Sequence, residues 1–254
     1  MVRGRHVGVA TRDPRRCSHG VRAETERITD DEPIDADQQV RRRWINVTRP
    51  YAYGVVDVDE TIERPIDGVG DGERVYPIEN GSVAALVSDI ETASPERSDE
   101  NVRRHDDVLR ELMTTDGGRT VVPMRYGMVF RDEVTVENVL DGASSALERT
   151  LREIEGTEEL GVTVVRPPGG GVDDDAVRRT VADELDQIAA DVAENGLYSD
   201  RLVLNRSYLV RRDERDAFDE AVGRLESQHE EVLVRYTGPF APYSFVDVRI
   251  GAQQ

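Results

Sequence analysis

Side chains able to carry covalent or proton-transfer chemistry are few in this chain, and none is spaced for it. The four histidines, His6, His19, His105 and His229, are far apart. Cys17 is the one cysteine, so neither an intrachain disulfide nor a CxxC pair can form. All 33 basic residues are Arg. Without Lys there is no GxxxxGK[ST] phosphate loop and no Schiff-base amine. A GxSxG nucleophile elbow and an HExxH zinc pair are also missing. Gly68, Gly70 and Gly72 do not open a helix after a strand, as a dinucleotide site requires. Gly169, Gly170 and Gly171 precede a helix start, a place where anions can bind. Asp173, Asp174 and Asp175 follow at once. They would repel phosphate and instead serve as cap and dipole partners. They also lack the spacing of a calcium loop. Carboxylates are abundant, but no pair stands out as acid and base. The sequence therefore predicts no catalytic residue, no cofactor site and no metal site, and His105, on the apolar side of its helix, reads as structural.

Charge narrows the partners. The 254 residues carry 52 Asp+Glu against those 33 Arg, a formal charge of -19. An all-Arg, strongly acidic composition fits a protein of concentrated brine, where acidic surfaces stay hydrated and self-repulsion is screened. The same charge argues against nucleic-acid backbones and anionic lipid. No run of about 18 apolar residues is present, so no membrane-spanning helix is expected. Residues 1–30 lack the apolar core of a secretory signal, and a cytoplasmic location is expected.

The elements that would position a site begin near residue 51. Residues 1–50 hold eleven Arg and eight acids, net +3, without helix or strand periodicity. They read as a disordered or extraneous extension. Beyond them, Tyr51 to Val58 reads as a strand, and Val75–Ile78 and Val83–Ile90 as a hairpin around Asn80-Gly81. Ser98 caps a helix through Leu112 that Gly117-Gly118 stops. The Val136-to-Ile154 stripe marks a long helix ended by Gly156, and Leu160–Val165 a further strand. This β-ββ-α-β-α-β order predicts an α+β fold of two domains. The first, 51–166, is expected as a modified ferredoxin-like (split βαβ) domain. Residues 167–171, Pro-Pro-Gly-Gly-Gly, read as a linker. The second, smaller α+β domain is expected over 172–254. It would contain a helix from Val177 to near Gly196, a strand over 202–210, a helix over 218–225, and strands over 232–236 and 243–250.

Two segments are unusual. Val121 to Phe130 combines two Met, two aromatics, a Pro and a Gly, and Met adapts to varied apolar surfaces. Tyr236 to Phe245 holds four of the twelve Tyr and Phe between two Pro. Rigid aromatics lose little entropy on binding. From composition alone 121–130 reads first as a core strand, and 236–245 as either a tight strand connection or a recognition surface. The candidate partner-binding residues are Tyr236, Phe240, Tyr243 and Phe245, then Met124, Tyr126 and Met128.

These segments also carry a resemblance. Tyr53-Gly-Val-Val, Val83-Ala-Ala-Leu-Val-Ser-Asp-Ile90, Arg119-Thr-Val-Val-Pro-Met-Arg-Tyr-Gly-Met128 and Tyr236-Thr-Gly-Pro-Phe-Ala-Pro-Tyr-Ser-Phe-Val246 resemble the gas vesicle protein F/L family (GvpF/GvpL). The ending Phe245 to Gln254 is most similar to its haloarchaeal F branch. Phe240 stands where the family commonly has Trp. The resemblance spans about residues 51–254 and implies a non-enzymatic accessory or minor structural protein of gas vesicle formation. It implies as partners the small, very apolar A-type shell protein and other accessory proteins, with no cofactor and no catalytic residue. A small-molecule-binding regulatory domain and a carboxylate-pair hydrolase are the competing readings.

Overall fold

A computed structural model of the chain describes residues 48–247, apart from 61, 63, 64, 71–73, 116, 117 and 170. The expected extension, with Cys17 and Trp44, lies outside the described residues except at its end. There Arg49 and Pro50 already belong to the first strand, β1 (Arg49–Asp57).

β2 (Tyr76–Asn80) and β3 (Val83–Ile90) form the expected hairpin, with Asn80 opposite Val83 and Gly81 at φ 62°. That left-handed turn is one glycine adopts without steric cost. Helix α1 (Asp99–Thr114) starts at Ser98, whose hydroxyl accepts from the Asn101 N–H. Of its expected Gly117-Gly118 stop, Gly117 lies outside the described residues. β4 is only Val122–Pro123. Helix α2 (Glu133–Glu153) is capped by Asp132. The first sheet has the order β2-β3-β1-β4, antiparallel throughout. β3 shows why its strands read as unbroken apolar runs. Ala84, Leu86 and Ile90 pack with Val108, Leu109 and Leu112 of α1. Val83, Ala85 and Val87 pack with Val136, Leu140 and Leu147 of α2. With both faces covered, no alternation of polar and apolar residues survives. Gly54 lets β4 close on β1, because a Cβ there would lie 2.6 Å from Val121 Cγ1 and 2.8 Å from Val122 O.

β5 (Thr157–Val165) corrects the expected organisation. It lies inside the second sheet, order β6-β7-β5-β8, and not in the first. The other members are α3 (Asp174–Leu185), β6 (Asp191–Glu194), β7 (Leu202–Arg211), α4 (Arg215–Gln228) and β8 (Leu233–Phe240). The second half runs β-α-β-β-α-β, and the first half, expected as β-ββ-α-β-α-β, lacks that last strand. The Pro-Pro-Gly-Gly-Gly stretch joins two elements of one sheet. In the first sheet the β1–β2 connection shows no helix among its described residues. All described residues belong to one compact unit.

Two further expectations fail for local reasons. The helix expected to reach Gly196 ends at Leu185, and Val192 belongs to β6. Ile188 and Val192 continue the helical spacing, yet both contact the same core from a turn and an edge strand. Tyr243 to Ile250 is no strand where it is described. Tyr243–Phe245 is a 3-10 turn, β8 runs on through Phe240, and 248–250 lie outside the described residues. Among the described residues no helix is long and apolar enough to cross a membrane.

Candidate functional site

The two segments singled out by composition meet at His105. This residue lies in α1 and is buried. Its Nε2 is 3.0 Å from the Met124 carbonyl oxygen and 3.0 Å from the Tyr243 hydroxyl. A carbonyl only accepts, so Nε2 carries the proton and Nδ1 is the acceptor. Nδ1 receives the Tyr51 O–H at 2.8 Å, and the Tyr51 oxygen in turn accepts the Gly127 N–H at 3.3 Å. The 121–130 segment and the C-terminal turn therefore meet at one imidazole nitrogen, and the segment reaches the other nitrogen through Tyr51.

The rings around His105 are close. Tyr53 stacks on it at a centroid distance of 5.4 Å, while Tyr51 and Tyr126 stand edge-on at 5.7 and 5.9 Å. Tyr53 is itself fixed, its oxygen taking the Val69 N–H at 2.8 Å and lying 2.8 Å from Ser88 Oγ. Burial pushes the His105 pKa down from 6.5 to about 4, although the Met124 carbonyl favours the proton. The imidazole is neutral at neutral pH. Burial, and then the charge of Asp106, hold the Tyr243 phenol far above its ordinary range. Burial raises the Asp106 carboxyl, with Arg110 opposing the shift. What the partners of this neutral histidine constrain is the position of two loops.

The C-terminal turn is held from its other side as well. The buried Glu159 of β5 accepts the Ser244 N–H at 2.8 Å and the Ser244 O–H at 2.7 Å. Ser244 Oγ also lies 3.2 Å from Ser207 Oγ of β7. Three residues, Tyr243 to Phe245, thus connect the second sheet to α1 of the first half. Arg212 makes a second connection, donating to the carbonyl oxygens of Gly118 at 2.9 Å and Arg119 at 2.6 Å.

The seven candidate residues separate into four places. Tyr126 and Tyr243 flank His105, with Tyr126 giving its O–H to the Glu96 carbonyl at 2.6 Å. Met124 offers His105 only its carbonyl, and its buried side chain packs on the α2 side. Met128 and Phe245 pack partly buried against the core on the α2 side. Tyr236 sits over the second core, 6.0 Å from the Phe218 ring and 5.8 Å beneath the Arg215 guanidinium, with its hydroxyl on Asp219. Phe240, on β8, is the exposed one, at 36%. His105 and Ser244 organise the two segments and were not among the candidates. The sequence signal for His105 was its place on the apolar face of α1; a lone Ser gives no such signal.

A cleft of about 550 Å³ beside α2 is rimmed by Asp57, Asp59, Glu60, Glu148 and Glu155. Among the described residues no group of His, Cys, Asp or Glu is arranged to hold a metal ion.

The architecture is that of an α+β protein whose two antiparallel sheets are tied together by a buried polar node and a C-terminal turn. The chain belongs to the gas vesicle synthesis protein GvpL/GvpF family, whose model matches residues 50–174 and 171–247. It is 50% identical over 205 residues to gas vesicle protein F of Haloferax mediterranei, covering 80% of this chain and 96% of that one. Gas vesicle protein F1 of Halobacterium salinarum is 44% identical over 204 residues, covering 80% and 95%. The crystal structure of GvpF from Anabaena sp. PCC7120 shares the fold, with a TM-score of 0.72 at 19% identity over 82% of this chain and 99% of that one. A gas vesicle role follows from the family. The haloarchaeal relatives also accord with the acidic, Lys-free composition.

Proposed function

We propose that this chain is a non-enzymatic accessory or minor structural protein that binds the small apolar shell protein and other accessory proteins, and supports assembly of the gas vesicle in the cytoplasm. The observation that carries this reading is its 50% identity to a gas vesicle protein F over 96% of that protein's length. The chemistry supports it. A very apolar subunit must be kept from aggregating before it joins a shell, and a partner with charge -19 stays dispersed while contacting it. Contacts between apolar surfaces also suit brine, since salting-out salts strengthen burial while salt screens ion pairs. Phe240 is the exposed anchor. Tyr236, Tyr126, Met128, Tyr243 and Phe245 offer partial surface around the two segments, and Met124 supports them from beneath.

The test is capture of the full chain by immobilised shell protein in molar KCl, with Phe240→Ala beside the wild type. Wild-type capture that weakens about tenfold in Phe240→Ala, the scale of one aromatic anchor, supports role and anchor together. Equal capture of both moves the anchor elsewhere. No capture of the wild type ends the shell-binding reading.

A further inference from the structure

The second sheet is covered by helices on one face only. Val162 and Val164 of β5, with Leu204 and Tyr208 of β7, pack against Val177, Val181, Phe218 and Leu225 of α3 and α4. Residues between them in each strand turn to the other face, because side chains alternate along a strand. Thr163 of β5 pairs with Asn205 of β7 and Arg235 of β8, and Val165 pairs with Leu233. One margin of this face is filled, where Ser244 bonds Glu159 and Ser207 is buried. The remainder is open. Thr163, Val165 and Asn205 are partly exposed, and Leu233, Arg235 and Thr237 are exposed.

These six positions hold no carboxylate, and their one charge is Arg235. The chain as a whole carries 52 acids in 254 residues, and the outer faces of α3 and α4 are dense with them. Exposed apolar side chains gather on the same half. Of the five large ones exposed among the described residues, four are Leu197, Tyr198, Leu233 and Phe240. Leu233 lies at one end of the open face. Leu197 and Tyr198 are on the β6–β7 loop, which is joined to the face where the Asn195 N–H meets the Asn205 carbonyl at 2.8 Å and Asn205 Nδ2 donates to the Gly196 carbonyl at 3.0 Å. Phe240 lies at the far end of β8.

We propose that the open part of this face, six positions without a carboxylate flanked by Leu197, Tyr198, Leu233 and Phe240 and set apart from Asp191 and Glu159 at the filled margin, is the docking surface for an uncharged, apolar surface of the small shell protein. The proposal rests on the shell-binding reading above and gives it a place. The charge pattern selects the occupant. An open patch that lacks carboxylates in so acidic a chain leaves no acid stranded when an apolar partner covers it, and a covered acid without a partner is costly. A second copy fits less well. Two-fold pairing brings the same patch together and sets Arg235 toward Arg235, between bodies of charge -19 each.

The experiment uses the full chain and the isolated shell protein in molar KCl. Leu233→Glu and Arg235→Glu are combined, both at exposed positions, and Gln228→Glu on α4 is the control. Unfolding temperatures establish that all three proteins are folded. The expected result is a loss of apparent affinity of at least about tenfold for the double variant, as a buried unpaired carboxylate predicts, and less than about twofold for the control. A photo-crosslinker replacing Thr237 is expected to join the chain to the shell protein. Wild-type binding that the double variant retains overturns this face and leaves the shell-binding reading standing. Crosslinks from position 237 to a second copy of the chain overturn it likewise. Failure of the wild type to bind overturns both.

Discussion

The two sheets share one strand order and differ in what covers them. In the first, β2-β3-β1-β4, α1 lies on one face and α2 on the other. In the second, β6-β7-β5-β8, α3 and α4 share a face and leave the other partly open. Burial follows. β3 is buried at seven of its eight positions, whereas β5 alternates buried and partly exposed from Leu160 onward. The same order of strands thus yields a sheet covered on both faces in one half and a partly open face in the other. The stabilising devices differ too. The first half is organised around a buried neutral histidine. The second carries ion pairs at its edge, such as Arg215 Nε to Asp219 at 2.8 Å, which brine screens.

The sharpest test of this contrast is a carboxylate placed on either face of β5. Val162→Asp faces α3 and α4 and is expected to cost at least about 4 kcal/mol, enough to unfold a marginal domain. Thr163→Asp, one residue on, is expected to stay within about 0.5 kcal/mol, as surface substitutions do. Denaturant unfolding of the two variants measures the difference. Equal destabilisation would mean that the second sheet is closed on both faces, and the comparison would fail.

A smaller effect is expected from acid, through the first half. The folded pKa of His105 is about 4 against an ordinary 6.5. Between those values the unfolded chain binds the proton and the folded chain does not. Stability is therefore complete above pH 6.5 and is lost as pH falls toward 4, by about 3 kcal/mol in full. Asp106, whose carboxyl is raised by burial, shifts stability the other way. His105→Gln removes only the histidine contribution. Its unfolding free energy, followed from pH 7 to 5, is expected to fall less steeply than that of the wild type. Parallel curves would mean that His105 is accessible to protons in the folded chain.

The smallest effect concerns the first-half helix that carries His105. Ser98→Ala removes the acceptor of the Asn101 N–H at the start of α1. It is expected to cost about 1 kcal/mol. Thermal unfolding reads this directly, and no change would show that water replaces the cap.

Local chemistry made much of the first half legible. Asn80-Gly81 fixed a hairpin because a two-residue turn of that type matches strand twist. Ser98 announced α1, and the Val136-to-Ile154 stripe announced α2, because caps and periodicity act within a few residues. The second half was harder. Its short edge strand β6 continues the spacing of α3, so periodicity alone cannot separate turn from helix. β8 passes through Gly238-Pro239, which reads as a loop yet stays paired with β5 across a register shift between Glu159 and Gly161, where a Cβ at Gly238 would lie only 2.9 Å from the Glu159 carbonyl oxygen. The composition of 121–130 and 236–245 marked two segments that the structure brings together at His105. Which of their side chains are exposed and which are core was not written there, because Met124 and Phe240 are equally apolar and differ only in what surrounds them.

By itself, the sequence determined the charge and the repertoire of side chains. A chain with no Lys, one Cys and charge -19 carries those properties in any fold. It also determined most elements, because turns, caps and stripes depend on neighbours along the chain. Tertiary structure alone decided which sheet β5 joins, that residues as distant as Tyr51, His105, Met124 and Tyr243 share one imidazole, and that Thr163 and Arg235 share an open face. Those outcomes depend on pairing between strands and loops far apart in sequence, where the free energy comes from surfaces that meet only after the chain has folded.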